Sequence, residues 1–199
     1  MSVRIRFADA EKDASRILAV YAPYIERTAI TFETEVPDGT AFAARVAGIA
    51  REFPYLLLEI DGALAGYAYA HRQAERVAYQ WNAELSIYLA PAAVGKGYGR
   101  RLYQALLDLL SLQGVRTVYG VVTSPNPASE ALQKSLGFRL IGVHKNTGYK
   151  AGQWRDVLWF EKSLAPYDAD PQPVLPFCQL DQQQVDRVLA AYGHEDTPA

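Results

Sequence analysis

Residues 81–90 read Trp81-Asn-Ala-Glu84-Leu-Ser86-Ile87-Tyr88-Leu89-Ala90, and after Pro91 they run into Ala93-Val94-Gly95-Lys96-Gly97-Tyr98-Gly99-Arg100-Arg101. The first part alternates as a strand does. Ala83, Leu85, Ile87 and Leu89 share one face, and Glu84, Ser86 and Tyr88 share the other. The second part is a glycine loop opening a helix over about Arg100–Gln113, with Gly114 as its C-cap. A loop of this kind aims several backbone N–H groups and the positive end of a helix at one spot. Lys96, Arg100 and Arg101 add positive charge, so the physical expectation is a phosphate or pyrophosphate site; a glycine-rich turn without ligand is the alternative. A P-loop is excluded because G-x-x-x-x-G-K-[ST] is missing. A dinucleotide fingerprint fails too, since its third glycine falls on Leu102 or Arg100.

The strand sits mid-sequence before a crossover helix, which predicts a central position. Central strands usually bury apolar residues on both faces. A carboxylate, a hydroxyl and a phenol on one face therefore suggest a lined cleft, and burial raises a carboxyl pKa toward that of a general base. An edge strand with a solvated face is the competing reading.

Before this centre, Val3–Phe7 reads as a strand and a helix follows to about Arg27, capped by Asp9 or Asp13. A second helix covers Thr40–Glu52. Asp61-Gly62 joins strands Tyr55–Ile60 and Ala63–Arg72 in a hairpin. After the centre come strand Arg116–Thr123, a helix ending at Gly137, and strands Phe138–His144 and Val157–Leu164, separated by a long loop over Asn146–Asp156. The order β-α-α-β-β-β-α-β-α-β-β predicts an α/β fold with a mixed sheet. Ala165–Cys178 carries Pro166, Pro171, Pro173 and Pro176 and reads as a linker. Asp181–Tyr192 is a candidate further helix, and Gly193–Ala199 a tail. The expected division is a domain over 1–164 and an appendage over 165–199.

Composition bounds the partners. The chain has 199 residues, with 20 Lys+Arg against 22 Asp+Glu, a net charge of −2 that argues against a nucleic-acid binder. One cysteine, Cys178, precludes an intrachain disulfide. The three histidines lie too far apart for zinc spacing, so no metal is expected. No stretch reaches the ~20 apolar residues of a membrane span, and the first residues lack a signal-peptide core. A soluble cytoplasmic protein without membrane or nucleic-acid partners is expected.

Together these segments resemble the GNAT superfamily of N-acetyltransferases, and within it the phosphinothricin-acetyltransferase-like branch. The resemblance covers about residues 3–164. It rests on Ala19-Val-Tyr-Ala-Pro-Tyr24, Thr31-Phe-Glu-Thr34, Gly66-Tyr-Ala-Tyr-Ala70, Tyr79-Gln-Trp81-Asn-Ala-Glu84, the glycine loop, Asn126-Pro-Ala-Ser129, Leu136-Gly-Phe138 and Gly148-Tyr-Lys-Ala-Gly-Gln-Trp154-Arg-Asp156-Val157.

The resemblance implies a mostly antiparallel twisted sheet that splays between strands four and five and is flanked by helices. It implies acetyl-CoA as co-substrate, its pantetheine arm along Ile87-Tyr88-Leu89 and its pyrophosphate on Gly95, Lys96, Gly97, Tyr98, Gly99 and Arg100, with Asn126 and Ser135 also near it. Glu84 takes the place of the base. Substrate contacts fall on Phe32, Glu33, Val77, Tyr79, Glu84 and Ser86. The implied reaction is direct transfer, in a ternary complex, to the primary amine of a small amino-acid-like substrate of phosphinothricin or methionine sulfone/sulfoximine type. A different amine (polyamine, antibiotic, protein N-terminus) and a non-catalytic acyl-CoA sensor are the alternatives. Homodimers through the last strands are implied as well. Two positions depart from the family pattern: Val94 stands where Gln or Arg usually begins the cofactor loop, and Gln133 stands where His or Tyr is common. Glutamine is no acid, so either another group, Tyr88 or water, protonates the leaving thiolate, or the enzyme is slower or different.

Overall fold

The fold was analysed in a computed structural model that describes residues 2–193. In chain order the elements are β1 (Val3–Phe7), α1 (Ala10–Arg27), α2 (Gly39–Glu52), β2 (Tyr55–Ile60), β3 (Ala63–Arg72), β4 (Asn82–Leu89), α3 (Tyr98–Gln113), β5 (Thr117–Ser124), α4 (Pro127–Ser135), β6 (Arg139–Lys150), β7 (Gln153–Ser163) and α5 (Gln182–Tyr192). The strands form one seven-stranded sheet in the order β1-β2-β3-β4-β5-β7-β6. Every neighbouring pair is antiparallel except β4–β5, which is parallel. This is the mixed, mostly antiparallel α/β sheet expected, with β4 at its centre.

Local chemistry sets the elements. Asp9 caps α1, its side chain accepting from the N–H groups of Glu11 and Lys12. Asp13, the other candidate cap, is 2% exposed and pairs instead with Arg6 at 2.6 Å. Asp61 and Gly62 both take positive φ (48° and 78°), as a tight hairpin turn with right-handed strand twist requires. Side-chain alternation then divides the core. Tyr55, Leu57 and Tyr67 face Ile17, Tyr21, Phe42 and Val46 of α1 and α2. Leu56, Leu58, Leu85 and Val118 face Leu102, Leu106 and Leu110 of α3.

The loop expected over Asn146–Asp156 is not one. β6 and β7 continue past it as a hairpin, pairing Gly148 with Arg155, Tyr149 with Trp154 and Lys150 with Gln153. The turn is Ala151-Gly152, again with two positive φ values (52° and 75°). Clustered Asn, Gly and Thr read locally as loop, but cross-strand pairing and a register shift between His144 and Gly148 override that preference.

The proline-rich segment lies on the domain. Gln113 Nε2 donates to the Leu175 carbonyl at 3.0 Å while the Leu175 N–H donates to the Gln113 carbonyl at 2.9 Å. Trp81 Nε1 donates to the Gln172 carbonyl at 2.8 Å, and Phe177 meets Phe7 edge-on. Asp181 caps α5, which buries Val185 against the α3 side of the core; Tyr192 donates to Asp108 of α3 at 2.6 Å. The expected tail lies, beyond Gly193, outside the described residues.

Candidate active site

β4 and β5 pair only from Asn82–Leu85 to Thr117–Gly120. Neither strand ends there: β4 stays on β3 as far as Leu89, and β5 stays on β7 as far as Ser124. The two therefore part, and the sheet opens at its centre. Thr117 N–H donates to the Trp81 carbonyl across this seam. Backbone groups of successive strand residues point to alternate sides, so Ile87 and Leu89 also face the seam, where β5 is no longer within pairing reach. The Leu89 carbonyl is taken by the Tyr24 hydroxyl at 2.7 Å. The N–H and C=O of Ile87 and the N–H of Leu89 are left as a short strand edge facing the opening. The Tyr88 backbone points the other way, in register with Tyr67 of β3.

The opening is a cavity of about 700 Å³. Of the residues expected to hold the cofactor, Ile87, Tyr88, Leu89, Gly95, Gly97, Gly99, Arg100, Asn126 and Ser135 line it, while Lys96 and Tyr98 do not. Gly95 and Gly97 both adopt left-handed backbone (φ 78° and 83°), which turns the chain sharply into α3. The Arg100 guanidinium donates to the Ser135 carbonyl at 2.7 Å and ties the tip of α3 to the end of α4. Asn126 caps α4 by accepting from the Ser129 N–H, and the Ser135 hydroxyl donates to the Leu132 carbonyl. A row of free strand-edge groups running toward a helix tip can hold an amide-bearing chain ended by phosphates.

Where the strands part, Gln133 is 2% exposed and lies directly over Gly120: a Cβ built on Gly120 would come within 2.4 Å of its Nε2. That Nε2 donates to the Tyr103 hydroxyl at 3.3 Å, and Gln133 Oε1 is buried without a partner among the described residues. Tyr103 also lines the cavity. Sequence reasoning missed it, because at helical spacing it reads as one more core residue of α3.

Glu84 stands on the face toward α1 and α2. His71 is its register partner on β3, with Nε2 3.7 Å from Glu84 Oε1. His71 Nδ1 donates to the Arg72 carbonyl, which leaves Nε2 as the nitrogen that faces the carboxyl. Burial pushes the Glu84 pKa above the usual carboxylate range, and positive charge on His71 opposes that rise. The sequence reads His71 as a surface residue at a strand end; only the β3–β4 register shows that it abuts Glu84.

The chain between α1 and α2 forms a strap beside this face. Lys150, at the end of β6, is 9% exposed, and its ammonium donates to the carbonyls of Thr31 (2.8 Å) and Glu33 (2.6 Å). The sequence left Lys150 between a substrate carboxylate and solvent; it binds neither, but backbone. The Phe32 ring lies so close over Gly148 that a Cβ there would be 2.3 Å away. The Glu33 carboxylate is engaged by Arg45 (2.6 Å) and by the Tyr21 hydroxyl (3.0 Å). Tyr88 lies edge-on to Tyr21 and Tyr24. Ser86 faces the cavity, whereas Val77 and Tyr79 stand exposed on a separate turn. Tyr79 borders a second hollow of about 370 Å³ with Tyr119, His144 and Trp159. Among the described residues no group of three or more His, Cys, Asp or Glu could hold a metal ion, and no helix is long and apolar enough to cross a membrane.

Known proteins resemble this chain in sequence and in fold. The acetyltransferase (GNAT) domain family matches residues 5–159. The chain is 32% identical over 178 residues to the phosphinothricin N-acetyltransferase of Streptomyces viridochromogenes, covering 89% of this chain and 96% of that one. It is 30% identical over 166 residues to the L-methionine sulfoximine/L-methionine sulfone acetyltransferase of Salmonella typhimurium, covering 83% and 96%. In three dimensions it superposes with a TM-score of 0.82, at 34% identity and covering 90% and 98%, on a phosphinothricin acetyltransferase of the GNAT superfamily from Sinorhizobium meliloti in complex with AcCoA. Fold, opened sheet and sequence agree: the chain belongs to the acetyltransferase (GNAT) family.

Proposed function

We propose that this N-acetyltransferase moves the acetyl group of acetyl-CoA to the primary amine of a small amino-acid-like acceptor of the phosphinothricin or methionine sulfone/sulfoximine type. The observation that carries the reading is the parting of β4 from β5, which turns the Ile87 N–H and C=O and the Leu89 N–H toward the opening between the α3 tip and Glu84. The residues fit acetyl-CoA. Ile87 and Leu89 pair with the amides of its pantetheine arm, and the N–H groups around Gly95–Gly99, with Arg100 beside them, receive its phosphates. The orphaned Gln133 Oε1 accepts a hydrogen bond from the arm. An α-amine has an ordinary pKa of ~8 and is mostly protonated at neutral pH; Glu84 removes that proton, directly or through water. The strap of Thr31, Phe32 and Glu33, with Ser86, borders the acceptor. Cys178 lies in the C-terminal segment, outside the cavity, so transfer is direct in a ternary complex rather than through an acyl-enzyme.

In this reading residues 1–164 form the catalytic domain, 165–199 is an appendage to it, and residues 165–193 of that appendage brace α3. The exposed Leu140, Ile141 and Val143 of β6 support a homodimer through the last strands, in a cytoplasmic enzyme. Light scattering reads the assembly.

The test is thiol release from acetyl-CoA with phosphinothricin and methionine sulfone as acceptors. Glu84→Gln lowers kcat about 10²–10⁴-fold; an unchanged kcat across pH 6–9 removes Glu84 as base. Transfer only to polyamines, antibiotics or protein N-termini reassigns the acceptor, and acetyl-CoA binding without transfer to any amine makes the chain a sensor.

A further inference from the structure

Leu85 and Gly120 are the last residues to pair across the seam. An arm that replaces β5 along Ile87 and Leu89 must end its strand-like course there. Resting on the acetyltransfer reading, this puts the thioester at the throat between Leu85 and Gly120, where Gln133 lies. The sequence leaves Tyr88 or water to meet the leaving sulfur. Tyr88 packs among the Tyr21 and Tyr24 rings on the opposite side of the sheet from α3.

The throat has another donor. Tyr103 is fully buried, its ring beside Phe138, and its hydroxyl accepts from Gln133 Nε2. An accepted bond leaves the O–H hydrogen to be donated elsewhere. With Gln133 Nε2 donating to the hydroxyl, the Tyr103 O–H is the donor that the pair presents to the place where the C–S bond breaks.

We infer that Tyr103, held by Gln133, is the hydrogen-bond donor that stabilises the departing thiolate. The amine nitrogen bonds to the acetyl carbon, and its proton goes to Glu84 and on to solvent. The C–S bond breaks with its electron pair on sulfur, and that charge is held by the Tyr103 O–H until CoA leaves and equilibrates with water. Burial pushes the Tyr103 pKa far up, which keeps the proton on oxygen, so the group acts by hydrogen bonding and not by full proton transfer. Tyr103 is thus a catalytic residue on the leaving-group side and Gln133 its positioning residue.

The experiment compares acetyl-CoA with its seleno analogue, whose selenolate leaves as a far weaker base. Tyr103→Phe keeps the ring and removes the donor; Gln133→Met keeps the length and removes the amide. With acetyl-CoA, Tyr103→Phe lowers kcat about 10–100-fold, the scale of one hydrogen bond to a charged group, without change in KM for acetyl-CoA. With the seleno analogue the loss shrinks to within about threefold, because the weakly basic selenolate departs with little need of a hydrogen bond. Gln133→Met shows the same donor dependence in weaker form. Equal losses with both donors, or no loss with acetyl-CoA, overturn the inference, since a merely structural defect does not discriminate sulfur from selenium. Should Tyr103→Phe fail to fold, the same comparison in Gln133→Met decides. If the wild type transfers from neither donor to any amine, the acetyltransfer reading itself falls and takes this inference with it; wild-type transfer with an unimpaired Tyr103→Phe overturns this inference alone.

Discussion

Replacing Lys150 by Met tests whether the strap is held shut from the far end of β6. The aliphatic stem survives this change, and the ammonium is lost. With it go two bonds to strap carbonyls, at 2.8 Å to Thr31 and 2.6 Å to Glu33. A hydrogen bond to a charged group is worth about 1.5–3 kcal/mol net. Both bonds share one ammonium that is itself desolvated at 9% exposure, so their sum is less than additive, about 2–3 kcal/mol. That raises the open population of the strap about 30- to 150-fold. Hydrogen exchange by mass spectrometry on a peptide spanning 28–36 reads the change directly and requires no knowledge of the acceptor. Exchange there accelerates by about that factor, while α3 and the central strands keep their protection. If the strap unfolds only with the whole domain, the loss appears instead as a fall in Tm of about 4–12 °C. In turnover, kcat/KM for the acceptor drops and KM for acetyl-CoA stays. Unchanged exchange over 28–36 with an unchanged Tm refutes the reasoning and leaves the strap fastened by Phe32 on Gly148 and by Glu33 on Arg45 and Tyr21.

Acid stability reports the Arg6–Asp13 pair: Arg6 holds the Asp13 carboxyl down to about 2, against an ordinary 3.8. A depressed carboxyl stabilises the fold above its unfolded pKa and loses that contribution as pH falls from about 4 toward 2. The full amount is about 2.4 kcal/mol, of which about 1.1 kcal/mol is lost by pH 3, and urea unfolding at pH 7 and pH 3 shows that partial loss in wild type and its absence in Asp13→Asn. The rate profile reports Glu84: burial raises its pKa, so it is protonated and idle at pH values where an ordinary carboxylate is ionised, and kcat/KM falls as pH drops through that raised value. His71→Phe removes the opposing charge and moves this acid limb to higher pH; a limb that stays put in His71→Phe separates the two groups. Gly120→Ala drives a methyl into the Gln133 amide and displaces it into the cavity. CoA affinity measured by calorimetry weakens about tenfold, the scale of modest overpacking. Val94→Arg adds a cation at the exposed rim of the cavity and tightens acetyl-CoA binding by severalfold at low salt, an effect lost in high salt.

The central strand and glycine loop were legible because their information is local. Alternation over Ala83–Leu89 separates the faces, and glycines at 95 and 97 mark left-handed backbone before a helix. The β6–β7 hairpin was not legible, since Ala151-Gly152 is a turn only once Gly148 and Arg155 have paired. The same limit hid the working neighbours of the site. His71 meets Glu84 through the register of two strands joined by a nine-residue excursion, 73–81. Lys150 reaches Thr31 across 119 positions. Tyr103 is concealed differently, because a buried aromatic on an apolar helix stripe carries no mark of its hydroxyl. Only the position of Gln133 over Gly120 exposes that group as part of the cavity.

Helix α3 offers its first turn to the cavity, while its far end is anchored by paired bonds between Gln113 and Leu175 and by Tyr192 on Asp108. A rod bolted at the rear makes a poor door. Room for an incoming coenzyme must come from the other bank, where short α4 is held to the rod by Arg100 reaching the Ser135 carbonyl. A fluorophore on α4 will therefore sense loading, and one on α3 will stay silent.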